Sequence, residues 1–410
     1  MARRAFKSYS NTGATQRSNR GYAAPRDQQR IDILLQHMDI AALDVLVCRL
    51  PQNVLMLAGC WPATGNSLVV FPRLGEPVLI VPLEEIHFAN GSWIGDIRSF
   101  EIPISGAVED TVQHIMADIA RDKGLQKLVI GYEATPEDVS SSRSLLSAPG
   151  RATYQMLRSA FPAADFHDAS DMLDAAQMVK TPREVAAIKT AAQIAHFGLR
   201  AADGSIAVGI RESEILSLIH KEILAKGIGF KGTHDIQVFS RAISSPRSAE
   251  AYLPLLSTSD REVRPGDTIL VEIEVCASGF WSKLARTFIV GSPLARVQEA
   301  YDVCLDAQRK AVEAIGNGVK AGEIDTAVRN YVAKRGYGEE FKTQLGHGIG
   351  FTVSPKSRPR FRADSEDILR PYVVHTLEPA LFIDGLTGIK VGDVVADLGQ
   401  GVEFFQDKDP

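Results

Sequence analysis

The feature that most constrains this chain is a plan that its second half runs through twice. A helix from Pro182 to about Ala202 and a second from Glu212 to Ala225, closed by Gly227, lead into a strand-rich block over 235–291. A helix from Leu294 to Ile315 and another from Glu323 to Arg335, closed by Gly336, lead into a second block over 342–404. Two helices and then a sheet, repeated, indicate an internal duplication of about 110 residues. Halves of that kind close face to face, and a cleft between their sheets is the place to seek a site. The first helix has a sharp start: in KTPREVAAIK, Thr181 is the N-cap, Pro182 the first helical residue and Glu184 the reciprocal partner of a capping box.

Upstream, 28–178 reads as an α/β domain. The helical stretch RIDILLQHM precedes the buried strand LDVLVCRL, and the apolar runs SLVVFP, PVLIVPL and KLVIGYE alternate with helical connections such as DTVQHIMADIARDKG. That alternation predicts a sheet flanked by helices. Residues 1–27 form a basic tail, with Arg3, Arg4, Lys7, Arg17, Arg20 and Arg26 set among Ser, Asn, Gly and Gln. The tail lacks the apolar core of a secretory signal and reads as a flexible, solvated segment, with an organelle presequence or a surface arm as alternatives. The organisation expected is therefore a tail over 1–27, a first domain over 28–178 and a second over 179–410.

Composition removes several classes of function. Apolar residues make up 45% and charged ones 23% of the chain, the profile of a soluble globular protein. No run of eighteen apolar residues exists, so no membrane span is expected. A net charge of -5 gives no overall pull toward nucleic acid. The four cysteines, Cys48, Cys60, Cys276 and Cys304, have no C-x-x-C spacing, which argues against a zinc cluster or a disulfide framework and for a reducing cytoplasm.

The stretch TILVEIEVCASGFWSKLARTF, 268–288, carries the chemistry. Alternation in a strand puts Glu272 and Glu274 on one face with Leu270, and Ile269, Val271, Ile273 and Val275 on the other. A tight hairpin centred between Ala277 and Ser278 pairs Glu272 with Lys283 and Glu274 with Trp281. Alone, that pattern fits an exposed hairpin with a cross-strand ion pair. Two later segments argue for a pocket. In LGHGIGF, glycines on both sides of His347 leave the imidazole as the side chain available for contact. In VVHTLEPALF, Glu378 stands in a strand-like run immediately before Pro379, which cannot donate a ladder hydrogen bond.

GDTILVEIEVCASGFWSKLARTF, GHGIGF, SRPRFRADSEDILRPYVVHTLEPALF and GIKVGD, in this order, resemble the family of creatinase, prolidase, aminopeptidase P and methionine aminopeptidase, the M24 peptidases. The likeness runs through the second domain and extends more weakly into IDILLQHMDIAALDVLVCRLPQNVLMLAG of the first. It implies a creatinase-like α/β N-terminal domain, a pita-bread α+β C-terminal domain and a homodimer. The family's peptidases hold two divalent metals on two Asp, one His and two Glu, and those positions correspond here to Glu272, Lys283, His347, Glu378 and Gly392. Ser354 and Pro355 stand where a further family histidine is usual, and 245–267 contains none of the histidine found there in relatives. A lysine in the cradle competes with cations for the same carboxylates, at roughly 4 kcal/mol for unit charges 4 Å apart at an effective dielectric of 20. No metal cofactor is therefore expected, although residual Mn, Co or Zn stays open.

The resemblance to creatinase, which cleaves a C–N bond without metal, implies a hydrolase of a small nitrogenous substrate. His347 would be the acid-base, Glu378 would orient it and the water, and Glu272 with Lys283 would hold substrate charge. Glu274 would tune these groups, Trp281 would line the pocket by its family position, and His234, with Tyr252 behind it, would replace the missing histidine. The alternatives are an Xaa-Pro metallopeptidase acting on short peptides and a pita-bread module that binds without turnover. Arg286 and Thr287 read as sheet fasteners, Arg358 and Arg360 as carboxylate binders or a solvated loop, Cys276 as apolar filler, and His375 as facing away from Glu378.

Overall fold

The computed structural model describes residues 25–62, 65–105, 107–125, 128–134, 151–254 and 256–406. Most of the expected basic tail lies outside the described residues. Asp27, placed at its end by the sequence, instead caps the first helix, its side chain accepting from the Arg30 amide at 3.2 Å. The chain divides into two compact units, with the boundary between Gln177 and Met178.

The first unit is a mixed sheet with helices. Its elements are α1 (Gln28–Ile40), β1 (Val45–Cys48), α2 (Pro51–Ala58), β2 (Leu68–Pro72), β3 (Val78–Pro82), α3 (Ile86–Ala89), β4 (Asp96–Phe100), α4 (Val108–Asp122), β5 (Val129–Tyr132), α5 (Arg151–Ala160), β6 (Asp165–Asp168) and α6 (Ser170–Met178). The strand order is β4-β3-β2-β1-β5-β6. Val45, Val47, Val70, Ile80 and Ile130 of the sheet pack against Met116 and Ile119 of α4. The apolar run PQNVLMLA, which has no helical stripe, is helical because Pro51 opens it and Gly59, at φ 72, closes it.

The second unit shows the duplicated plan. Helices α7 (Pro182–Ser205) and α8 (Glu212–Gly227) pack on the antiparallel sheet β7 (Ile236–Ser244), β8 (Thr268–Ala277) and β9 (Phe280–Ile289). The capping box at Thr181 and Glu184 is present. Helices α9 (Ala295–Ala314) and α10 (Ala321–Lys334) then precede short strands: β10 (Gly346–His347), β11 (Arg360–Phe361), β12 (His375–Leu377), β13 (Ala380–Ile383), β14 (Thr387–Lys390), β15 (Asp393–Asp397) and β16 (Val402–Phe404). Ala300, Val303 and Ala307 of α9 and Ile324 and Val328 of α10 bury against Leu377, Leu381, Ile389 and Val395. Each helix pair thus covers the outer face of its strands. Ala285 of β9 and Gly392 exchange both backbone hydrogen bonds, at 3.0 and 2.9 Å, and so join the strands of the two halves.

The hairpin differs in register from the sequence expectation. Ser278, at φ 49, and Gly279, at φ 89, form the two-residue loop, so Ala277 pairs with Phe280, Glu274 with Lys283, Glu272 with Ala285 and Cys276 with Trp281. A two-residue loop with positive φ at both positions matches the twist of its strands, and glycine at the second position makes that loop favourable. The shift is two residues, which leaves every side chain on its expected face while changing its partner.

Candidate functional site

Six strands of the second unit, or the residues at their ends, bring their charged side chains together. On β8, Glu272 and Glu274 project between Arg241 and Phe239 of β7 on one side and Ala285 and Lys283 of β9 on the other. The other strand set supplies His347 at the end of β10, Glu378 just after β12, and Lys390 at the end of β14.

Backbone packing explains the glycines about His347. A Cβ on Gly346 would stand 2.1 Å from the Thr376 carbonyl oxygen, and one on Gly348 would stand 1.8 Å from that of Arg358. Only glycine fits between those chains. His347 Nδ1 lies 2.9 Å from the Gly348 carbonyl oxygen, which can only accept, so Nδ1 carries the proton. Nε2 lies 3.2 Å from Glu378 Oε1, and donates to it when the ring takes up a second proton.

Lys390 is the hub of the charge network. Its Nζ is 2.6 Å from Glu272 Oε1 and 2.6 Å from Glu378 Oε2. Lys283 Nζ adds a second ammonium 3.0 Å from the same Glu378 oxygen, and lies 3.7 Å from Glu274 Oε1. Arg241 closes on Glu272 Oε2, and Thr376 Oγ1 donates to Glu378 Oε1 at 2.7 Å. Thr287 fixes the hub: its hydroxyl accepts from the Lys390 amide at 2.9 Å and donates to the Lys390 carbonyl at 3.2 Å.

These neighbours separate the three carboxyls. Burial pushes all three up, but Lys390, Arg241 and Lys283 more than offset it at Glu272, whose pKa falls to about 2. Against the same burial, Lys283, Lys390 and His347 hold Glu378 well below the ordinary carboxylate range. Burial raises the pKa of Glu274, and the more distant Lys283 does not offset it while Glu272 and Glu378 repel its charge. Burial disfavours the charged form of Lys283, yet the three glutamates together keep its pKa raised. The site thus holds two fixed carboxylates and one carboxyl free to exchange a proton.

All of these groups line one cavity of about 220 Å3. Phe239, Tyr252, Phe382, Val353, Pro254 and Pro355 give it an apolar wall, and Thr343 and Gln344 add polar groups. Tyr252 meets Phe382 edge-on with centroids 5.5 Å apart, and Lys342 Nζ sits 4.8 Å over the Tyr252 ring.

Residues 186–396 match the metallopeptidase family M24, more than half of the chain. The chain belongs to metallopeptidase family M24. It is 27% identical over 379 residues to the Xaa-Pro dipeptidase of Pyrococcus furiosus, covering 92% of this chain and 97% of the relative. With the Xaa-Pro dipeptidase of Lactobacillus helveticus it shares 29% identity over 346 residues, 84% of this chain and 86% of the relative. The solved prolidase of Pyrococcus horikoshii OT3 superposes with a TM-score of 0.76 at 24% identity, over 93% of this chain and 99% of that one. The fold is accordingly that of the M24 pita-bread hydrolases, which act on C–N peptide bonds.

A metallopeptidase implies metal, and the side chains here do not fit a pair of divalent cations. Glu272 and Glu378, two of the positions where the family resemblance expects ligands, already hold Lys390 and Lys283. Lys283, at a third expected position, brings the charge of a cation rather than of a ligand. A Cβ at Gly392, the fourth, would stand 3.0 Å from Ala285 Cβ, so that position offers backbone only. Among the described residues no three His, Cys, Asp or Glu converge as a metal-binding group.

The expected site residues divide accordingly. His347, Glu378, Glu272, Glu274 and Lys283 come together, but the expected Glu272 and Lys283 pair is replaced: Glu272 takes Lys390 and Arg241, and Lys283 takes Glu378 with Glu274 beyond. Trp281 does not line the cavity; it lies against Phe239, centroids 5.9 Å apart, and Phe239 forms the wall. His234 is exposed before β7, at the hairpin-loop end of the sheet, whereas Glu272 sits opposite Arg241 further along. It therefore does not replace the family's upstream histidine, while Tyr252 does reach the cavity. Arg358 and Arg360 both bind Asp367, at 2.6 and 3.3 Å. Arg286 fastens the sheet through Asp393 at 2.7 Å. His375 is buried against Phe361, with its pKa pushed down to about 4 by desolvation. Lys390 and Arg241 were not singled out from sequence. Lys390 had a usable signal, standing two residues before Gly392 in GIKVGD.

Proposed function

We propose that this chain hydrolyses an amide C–N bond in a short peptide or small amide, Xaa-Pro dipeptides foremost, by acid-base chemistry that does not route its protons through a metal. The observation that carries this reading is the unequal pairing of neighbouring carboxyls in one cavity: Glu378 meets Lys390 at 2.6 Å and Lys283 at 3.0 Å and is held far down, while Glu274 has Lys283 only at 3.7 Å and burial raises it. Groups whose environments push their pKa values apart divide acid-base work between them. Glu378, saturated by two ammonium groups and Thr376, is a fixed anion that orients His347. Glu274 takes the proton from the attacking water and returns it to the leaving nitrogen. His347 Nε2 is the second proton acceptor at the same wall. The dipeptidase relatives support the peptide end of the substrate range, and the apolar wall at Tyr252 and Phe382 suits a compact side chain or proline ring.

Family resemblance supports a homodimer, which equilibrium sedimentation checks at micromolar concentration. The four unpaired thiols support a reducing compartment. The deciding experiment assays Xaa-Pro dipeptides, other dipeptides and small guanidino and amide compounds with chelator-stripped protein, beside protein dialysed against Mn, Co or Zn. Turnover by the stripped protein is expected. Turnover that depends on added metal would return the site to the metallopeptidase type, and substrate binding without turnover under any condition would make it a binding cleft.

A further inference from the structure

We propose that Lys283 and Lys390 form an oxyanion-binding pair that receives the carbonyl oxygen of the scissile amide. The inference rests on the hydrolytic reading above for its substrate, but the site itself is argued from donors and charge.

An ammonium group has three N–H donors and no acceptor. Lys390 spends two, on Glu272 and Glu378, and Lys283 spends one on Glu378 at 3.0 Å, its distance of 3.7 Å to Glu274 being too long for a hydrogen bond. Each lysine thus retains at least one donor, and both line the cavity. Glu378 Oε2 is shared between the two ammonium groups, which sets them side by side. The pair is held rather than loose: Thr287 pins the Lys390 backbone, and the Lys283 side chain retains only 16% of its exposure. A pre-organised pair of donors needs no reorientation when negative charge develops, which is the condition for oxyanion stabilisation.

The charge balance agrees. Lys283, Lys390 and Arg241 close on Glu272 and Glu378, three cations on two carboxylates, which leaves the pair able to receive negative charge. In the reaction, the proton of water passes to Glu274 as the water oxygen bonds to the carbonyl carbon. The C=O π pair moves onto oxygen, where the lysine N–H groups hold it. Collapse returns that pair to carbon, the C–N bond breaks, and the Glu274 proton goes to nitrogen. Atoms and charge balance without another reactant.

The test uses the full chain and inorganic phosphate, a tetrahedral oxyanion, as the calorimetric probe. Wild type is expected to bind one phosphate per chain. Lys283→Met should weaken it by about tenfold or more, since a charge-assisted hydrogen bond is lost. Because Lys390→Met leaves Arg241 as the remaining cation on buried Glu272, the double variant Lys390→Met/Glu272→Gln serves with it, and should show the same weakening in a cooperatively unfolding protein. Glu274→Gln should keep or strengthen phosphate binding. Absence of binding by wild type, or binding that neither lysine variant moves, would overturn the proposal by leaving the lysines as internal counter-charges only. This readout stands apart from turnover: a chain that hydrolyses nothing yet binds phosphate through the pair refutes the hydrolytic reading and keeps the anion site.

Discussion

Lys390 reaches Glu378 across the floor of the cavity, Nζ to Oε2 at 2.6 Å, and the same nitrogen reaches Glu272 at the same distance. One ammonium is thus shared by two buried carboxylates carried by different strand sets, with Arg241 and Lys283 completing their pairing. Lys390→Met removes one charge-assisted contact from each carboxylate while leaving Arg241 on Glu272 and Lys283 on Glu378. It is therefore expected to lower stability by about 1.5–3 kcal/mol, read from urea denaturation midpoints. A loss under about 1 kcal/mol, the range of an exposed ion pair, would show that water reaches these carboxylates freely.

Acid should find the same carboxylates. Glu272 is depressed in the folded protein to about 2 from an ordinary 4.5, so its contribution is fully present above the ordinary value and is lost as pH falls from there toward about 2. Glu378 is depressed too and adds to the same acid limb. The Glu272→Gln protein should lose less stability than wild type over that window, seen as converging urea midpoints. Parallel curves would mean that Glu272 is not an ion-paired carboxylate in the folded state.

Glu274 has the opposite sign. Its folded pKa is raised, and a base works ionised, so turnover should be low below that value and climb as pH rises through it, in a limb displaced upward from that of an ordinary glutamate. Glu274→Gln should lower kcat by about 10²–10⁴ and remove that limb, with KM much less affected. A pH profile unchanged by Glu274→Gln would move the proton role to His347.

Much of this site was legible in the chain, and what was not has a common cause. Alternation along β8 placed Glu272 and Glu274 on one face, and the residue before Pro379 marked Glu378, because those signals are local. Hairpin register is also local, but it turned on which two residues take positive φ, and Ser278 gave no warning. The partners were harder. Lys390 and Arg241 meet Glu272 from 118 and 31 residues away in sequence, and no periodicity announces an ion pair of that kind. The glycines beside His347 leave its imidazole on the cavity, and the structure adds a packing reason for each in the carbonyls of Thr376 and Arg358.

That packing is testable at one atom. Gly348→Ala puts a methyl 1.8 Å from the Arg358 carbonyl oxygen, a contact that only backbone movement relieves. Because the Gly348 carbonyl also fixes the His347 tautomer at 2.9 Å, the variant should lose both stability, by about 1–3 kcal/mol as for overpacking elsewhere, and turnover. A variant with wild-type melting and kinetics would show that this loop has slack.

The donor set makes a sharper statement about metal. A divalent cation at the Lys283 Nζ position would have to displace an ammonium held by Glu378, and one beside it would be repelled by about 8 kcal/mol at 4 Å and an effective dielectric of 20. Protein purified and dialysed against Mn, Co or Zn is thus expected to carry none of them stoichiometrically by elemental mass spectrometry. Lys283→Asp exchanges that cation for a carboxylate beside Glu274, Glu378 and His347, and should gain at least one metal per chain. Tight stoichiometric metal in the unmodified protein would mean that the lysines swing away from their carboxylates. Metal absent from both proteins would mean that Lys283 alone does not keep it out, and that Lys390 and the missing side chain at Gly392 matter as much.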